Sequence, residues 1–326
     1  MDTEVNRLMK FGIVGAGVIG RRFANVFSAT GDEILWICDL DLAKAEKLSE
    51  EFGGKATDNL DELLNDEEVQ TVYVGVVPKF HKEITIKVLE KLKNVICEKP
   101  IALSSEDGEE MIVAARKSGK LTAINLPFRF TTGIKKMQEL LASNFVGKIR
   151  RIELRFRFPG WPRKWQQVDW LGSREQGGPL REVGTHFFFL LNELEEFIGR
   201  PTRVLSLNEY SGKGGCESSS VGMIEFDSGL ICSIDLLTGS SEDEENTIRI
   251  LGEKDGLAFK QWYLLEDLNG NVLCDTRESS ERKMVEAFKV SSDTLVTFDD
   301  ALRAQRILES IHKSNGEWIE LRLDRK

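Results

Sequence analysis

The stretch Lys10-Phe11-Gly12-Ile13-Val14-Gly15-Ala16-Gly17-Val18-Ile19-Gly20 constrains the fold more tightly than any other part of the chain. Phe11, Ile13 and Val14 form the short apolar run of a buried parallel strand, and Val18 to Ala29 continues with apolar residues at helical spacing. Three glycines mark the join. Gly15 permits a tight turn, Gly17 leaves the backbone open to a pyrophosphate, and Gly20 lets the new helix pack closely on the strand. The loop at Ala16 and the helix amino terminus at Val18 and Ile19 then offer free N–H groups and the positive end of the helix dipole to an anion.

Such a turn reads as a dinucleotide site when an acidic residue ends the next strand, about 20 residues on. Ile34–Cys38 is that strand and Asp39 follows it, placed to accept hydrogen bonds from an adenine-ribose diol. Leu40 and Asp41 offer no cation for a 2′-phosphate, so NAD is expected over NADP, with Arg21 and Arg22 on the first helix weighing the other way.

Strands and helices then alternate. Helices are expected at Leu42–Phe52, Asp61–Leu64, Glu83–Leu92 and Ser105–Ser118, the last capped by Ser104. Strands are expected near Ala56 and at Thr71–Val77, Asn94–Cys97 and Leu121–Leu126. Such alternation requires right-handed crossovers and a parallel sheet covered on both faces. Beyond Leu126 the pattern changes. After a helix at Thr132–Ser143, the run Arg151-Ile152-Glu153-Leu154-Arg155-Phe156-Arg157-Phe158 alternates charged and apolar residues, as a strand with one wet face does. More strands are expected at 203–207, 221–226, 230–236 and 247–251, and a last helix at Phe298–His312 that returns to the first domain. The fold class is therefore α/β. An amino-terminal doubly wound parallel sheet (1–126) precedes an α+β domain (127–326) on an open, mainly antiparallel sheet, whose uncovered face suits a homodimer or homotetramer.

At 326 residues each domain can bury a core. The net charge of −10 opposes binding to nucleic acid or to an anionic membrane. The amino-terminal residues lack an apolar signal region, no apolar segment is long enough to span a bilayer, and five scattered cysteines suit reduced thiols; a cytoplasmic protein is expected. Three histidines and no Cys-x-x-Cys pair leave little for zinc, so no metal is expected, a carboxylate-only site for a hard cation being the open alternative.

In an open α/β sheet, ligands lie beyond the carboxyl ends of the strands. Val77, Pro78 and His81 follow one such strand, and Glu98-Lys99-Pro100 follow the next, so both groups should line a cofactor cleft. Pro100 biases Lys99 toward an extended conformation, where its amine faces either solvent or a reacting oxygen. In Gly177–Phe189, a glycine turn enters a helix with Glu182 and His186 four apart. They form either a proton-transfer pair or a histidine satisfied by a neighbouring acid. His312, in the last turn of its helix, reads as a cation favoured by the helix dipole. Trp161 and Trp170 read as loop anchors, and Trp165 stays open to ligand stacking.

Together, the glycine loop with Asp39, Glu98-Lys99-Pro100, Asn125-Leu126-Pro127-Phe128-Arg129-Phe130 and the Gly177–His186 stretch resemble the glucose–fructose oxidoreductase / inositol dehydrogenase (Gfo/Idh/MocA) family over nearly the whole chain. The resemblance implies a Rossmann domain, a second domain whose sheet forms subunit contacts, and NAD(P)-dependent hydride transfer at a carbinol or carbonyl carbon of a sugar, polyol or related compound. Lys99 matches the family's catalytic lysine and His186 its proton-transfer histidine. Arg129, Trp165 and Glu182 complete the expected substrate-contacting set. The family pattern Asp-x-Gly-x-His-x-x-Asp is changed at two positions, to Glu182 and Phe189; loss of the second polar group points toward a less polar ligand. Two alternatives accompany the dehydrogenase. One is a cofactor-retaining enzyme of the same family, for instance one cleaving glycosides, and the other is a non-catalytic dinucleotide-binding regulator.

Overall fold

The computed structural model describes residues 8–166 and 168–322. Residues 1–7, which carry the expectation of a chain without a signal region, lie outside them. The chain divides into two compact units, one running to Pro127 and including Ser279–Leu302, the other Phe128–Glu278 with the chain from Arg303.

The first unit opens with β1 (Lys10–Val14), α1 (Val18–Ala29), β2 (Glu33–Cys38), α2 (Leu42–Phe52), β3 (Lys55–Thr57) and α3 (Leu60–Asn65). It continues with β4 (Thr71–Val74), α4 (His81–Glu90), β5 (Asn94–Cys97), α5 (Ser105–Ser118) and β6 (Thr122–Ile124). All six strands pair in parallel in the order β3-β2-β1-β4-β5-β6, so the chain reverses direction of winding between β1 and β4. Aromatic residues hold α1 on the sheet: Phe11 stacks on Phe27 at 3.9 Å and Phe23 on Tyr73 at 4.1 Å. The Ser104 side chain accepts from Asp107 N, capping α5 as its sequence predicts. The fourth strand stops at Val74, before the expected Val77. Gly75 N–H bonds back to Val14 O at 2.8 Å, and Pro78–Phe80 then forms a 3-10 turn.

The second unit contains α6 (Thr132–Ala142), β7 (Ile149–Phe158), α7 (Thr185–Glu193), α8 (Glu195–Ile198), β8 (Pro201–Tyr210), β9 (Glu217–Phe226), β10 (Ile231–Thr238) and β11 (Glu245–Gly252). Three strands that the sequence reading passed over follow: β12 (Gly256–Lys260), β13 (Leu264–Asp267) and β14 (Val272–Asp275). They are short, and their alternation is interrupted by the turn at Gln261–Tyr263. Ile152, Leu154 and Phe156 of β7 are buried, as the alternating pattern requires. On the other face Leu207 pairs with Val221, each 59% exposed, and Leu205 with Met223.

The chain then rejoins the first unit through α9 (Ser280–Lys289), an element the sequence reading did not anticipate. Lys289 forms an ion pair with Asp32 at 2.8 Å, Ile124 N donates to Val296 O, and Arg116 pairs with Asp299. The last helix, α10 (Phe298–Lys313), extends one residue beyond His312, and the division between units falls within it. Finally β15 (Ile319–Glu320) adds to the second sheet, whose order is β14-β13-β12-β11-β7-β10-β9-β8-β15. Only β7 and β10 run parallel among its pairs, so the sheet is mainly antiparallel. No helix among the described residues is long and apolar enough to cross a membrane.

Candidate active site

In the glycine loop each glycine answers a different steric demand. Gly15 has φ +101°, and a Cβ there would lie 2.4 Å from Gly75 O. Gly17 is exposed with no atom within 4 Å of a Cβ, which leaves open space over the backbone for a ligand. A Cβ on Gly20 would stand 1.8 Å from Gly15 O, so this glycine fits the helix against the loop itself more than against the strand. The loop is closed by Asp39, whose carboxylate accepts from Ala16 N at 2.7 Å and from Asp41 N at 2.9 Å. A helix amino terminus, an unobstructed glycine and a fixed carboxylate fit a dinucleotide. Val18 and Ile19 lie beside the opening, exposed and half-buried. Arg21 is paired with Glu51, and Arg22 stands 3.7 Å from Glu281; acids thus engage the two cations that weighed toward a 2′-phosphate.

Beyond β4 and β5 the expected cofactor residues separate. Val77 is half-buried with extended backbone and Pro78 is buried. His81 is fully buried, with Nδ1 2.8 Å from Pro100 O and Nε2 3.0 Å from Val76 O; burial lowers its pKa. The neutral ring lies between the loops after β4 and β5 and donates from one nitrogen to one of these two carbonyls. Glu98 is also internal. Its Oε1 accepts from Tyr73 Oη at 2.6 Å and Asn125 Nδ2 at 2.7 Å, while Lys99 N lies 3.3 Å from Oε2. Burial raises the Glu98 pKa, against the opposing pull of the Tyr73 hydrogen bond and the Lys99 charge. The carboxyl therefore braces the backbone from which half-buried Lys99 projects at the carboxyl end of the sheet. The sequence offers Tyr73 only as a strand residue and Asn125 as the first residue of the Asn125–Phe130 stretch; the fold brings both onto one carboxylate.

In the second unit the Gly177–His186 stretch is shaped by close packing. A Cβ on Gly177 would meet Trp170 O at 2.3 Å, and Gly178 has φ +100° against the Glu217 carboxylate. Glu217, buried, accepts Leu180 N at 2.8 Å. Leu180–Gly184 then winds as a π-turn before α7. Glu182 lies in that turn and His186 in the first turn of α7, and Glu182 Oε1 accepts from Gln166 Nε2 at 3.0 Å. His186 is 7% exposed and packed among rings, 5.6 Å from Phe128 and 5.2 Å from Trp262. Trp262 had no sequence signal, because its contact with His186 is made only by the folded hairpin.

The remaining candidates have separate roles. Arg129 donates through Nε and Nη2 to both Glu193 oxygens, at 2.7 and 2.6 Å, and its guanidinium lies 5.4 Å from the Phe189 ring. This bidentate pairing fixes the Arg129 guanidinium on α7 within the second unit. Trp161 Nε1 donates to Leu171 O, as an anchor does, whereas Trp165 is 56% exposed beneath the Arg163 guanidinium. His312 Nε2 lies 3.5 Å from Glu217 Oε2, so a carboxylate as well as the helix end faces it.

Comparison with known proteins matches both units. The profile of the oxidoreductase family with NAD-binding Rossmann fold, GFO_IDH_MocA, fits residues 9–126, and that of the GFO/IDH/MocA C-terminal domain fits residues 134–258. The chain is 31% identical to glucose-6-phosphate 3-dehydrogenase of Bacillus subtilis over 55% of its length and 51% of that protein. It is 27% identical to D-glucoside 3-dehydrogenase of Escherichia coli over 81% of each chain. The chain spans about half the length of several curated relatives it matches. The crystal structure of GenD2 from gentamicin A biosynthesis, in complex with NAD, superposes with a TM-score of 0.83 at 24% identity, covering 97% of each chain.

Proposed function

Because the chain belongs to the GFO/IDH/MocA family of NAD-binding oxidoreductases, we propose that it is an NAD-dependent dehydrogenase or reductase acting on the carbinol or carbonyl carbon of a sugar or polyol. The glycine loop closed by Asp39 on Ala16 carries this reading, since it offers a pyrophosphate site and a ribose acceptor in one construction. When bound, nicotinamide supplies the acceptor for a hydride leaving the substrate carbon.

The chain's own residues manage the proton and the charge. Lys99 donates a hydrogen bond to the substrate oxygen and stabilises negative charge developing there. His186 accepts the hydroxyl proton as the carbon–oxygen double bond forms, and returns it in the reverse direction. Trp165 and Glu182 border the substrate. The exposed apolar strip on β8 and β9 is the surface through which a cytoplasmic homodimer or homotetramer would form.

The test is a fluorescence titration with NADH and NADPH, followed by a sugar and polyol panel watched at the nicotinamide absorbance. Wild type should prefer NADH and turn over at least one panel member. Lys99→Met and His186→Asn should each lose at least about a hundredfold in kcat with NADH affinity retained. No binding of either nucleotide would overturn the reading. Substrate consumption with tightly retained cofactor and no net absorbance change would transfer it to an enzyme that uses transient oxidation, such as glycoside cleavage.

A further inference from the structure

The β12–β13 hairpin turns through Gln261, Trp262 and Tyr263, and the first two have left-handed backbone, φ 55° and 72°. Glycine or asparagine is the usual choice there; a bulky aromatic residue at positive φ is an outlier, and such outliers persist where surrounding structure fixes them. Here it does. Gly133 of α6 admits the hairpin so closely that a Cβ on it would lie 2.9 Å from Tyr263 O and 3.0 Å from the Phe259 ring. The turn holds the Trp262 indole edge to face with His186, centroids 5.2 Å apart and planes at 87°, with Phe128 at 5.6 Å and Phe187 at 6.1 Å.

The rest of this aromatic cluster is different in kind. Phe128, Phe187 and Phe259 are buried and wholly apolar, whereas Trp262 is half-buried and its indole N–H has no acceptor among the described residues. Tryptophan packed into a core usually finds a partner for that hydrogen. An unpaired donor on a flat apolar face, fixed beside an imidazole by a left-handed turn, suits a ring with hydroxyls at its edge and C–H bonds on its face.

We propose that Trp262 is a substrate-contacting residue, stacking on the C–H face of a cyclic sugar or polyol and donating its indole N–H to a hydroxyl beside the one that His186 serves. This rests on the reading of His186 as a substrate-facing group. It gives the second unit a specificity element contributed by a hairpin far from the Gly177–His186 stretch in sequence.

The test uses full-length protein carrying 5-fluorotryptophan, saturated with NADH, and observed by fluorine NMR. The chain has six tryptophans, and Trp262→Phe assigns the signal of interest. D-glucose, methyl glucoside and myo-inositol are the probes. The expected result is a shift of the Trp262 signal with at least one probe. In turnover assays Trp262→Phe, which keeps a ring but no donor, should raise KM roughly three- to tenfold with kcat and NADH affinity within about twofold. A probe that is turned over, or that moves another tryptophan, while the Trp262 signal stays still would overturn the proposal alone. Silence of every signal, with no turnover of any probe, would overturn the proposal and the sugar or polyol reading together.

Discussion

Asp39 Oδ2 accepts the Ala16 N–H at 2.7 Å, so the acid that ends β2 is part of the glycine loop before any ligand arrives. One carboxylate therefore shapes the loop and, in the proposed function, has lone pairs left to accept from the ribose. Asp39→Ala should lose both effects and weaken NADH binding about ten- to a hundredfold, the range for charged hydrogen bonds of about 1.5–3 kcal/mol. Asp39→Asn, which keeps one acceptor, should fall between. Calorimetric titration of the three proteins checks the order; equal affinities would remove Asp39 from the cofactor site.

The glycines of the same loop make a sharper contrast. A methyl group at Gly20 would meet Gly15 O at 1.8 Å, backbone that cannot step aside, so Gly20→Ala should destabilise the protein by about 3 kcal/mol or more or prevent soluble expression. Gly17 has ordinary φ, −76°, and open space around it. Gly17→Ala should therefore leave thermal stability within about 0.5 kcal/mol while weakening NADH at least about tenfold. Thermal melts with and without NADH separate the two; a Gly17→Ala protein that binds normally would show that no ligand approaches that Cα.

These cases mark what was legible in the sequence. The first unit's sheet could be read because each parallel strand is a local apolar run and each crossover helix is amphipathic, and the glycine turn depends on adjacent residues. Glu98 and His81 follow strands and so are expected at the cofactor cleft, while sequence position does not say whether a side chain points outward or inward. Both turn in, where Glu98 accepts from Tyr73 and Asn125, 25 and 27 residues away, and the His81 ring meets Pro100 O, 19 residues away. The π-turn at Leu180–Gly184 follows closely after Gly178, which packs against Glu217 from a strand distant in sequence, and Trp262 reaches His186 only through a tertiary contact.

Glu98 predicts a particular pH dependence. Its carboxyl is buried, and burial raises its folded-state pKa above the ordinary value of 4.5. A group raised in this way contributes stability that is fully present below its unfolded value and lost as pH rises through its folded one. Glu98→Gln keeps an acceptor for Tyr73 and Asn125 and cannot ionise. The variant should thus gain on wild type as pH climbs above 4.5, while at pH 4 it should be equal or less stable by about 1 kcal/mol. Denaturation midpoints measured from pH 4 to 9 give the comparison, and parallel curves would show that Glu98 ionises as freely in the folded protein as in the unfolded chain.

Arg129 and Glu193 form a fork-to-fork pair in which the side chains are only 16% and 10% exposed, and the guanidinium also lies over buried Phe189. Two charges so far from water depend on each other. Removing one deprives the other of this two-point contact, at a cost of about 3–5 kcal/mol for a buried pair and less here in proportion to the remaining exposure and other contacts. Replacing both by apolar residues removes the desolvation cost along with the attraction. Glu193→Ala should therefore be more destabilising than the double change Arg129→Met with Glu193→Leu, with the order read from urea midpoints at constant slope. Because the guanidinium is engaged by Glu193, the double variant should also keep NADH affinity and KM within a few-fold of wild type wherever it stays folded. A large rise in KM in that folded double variant would return Arg129 to the substrate.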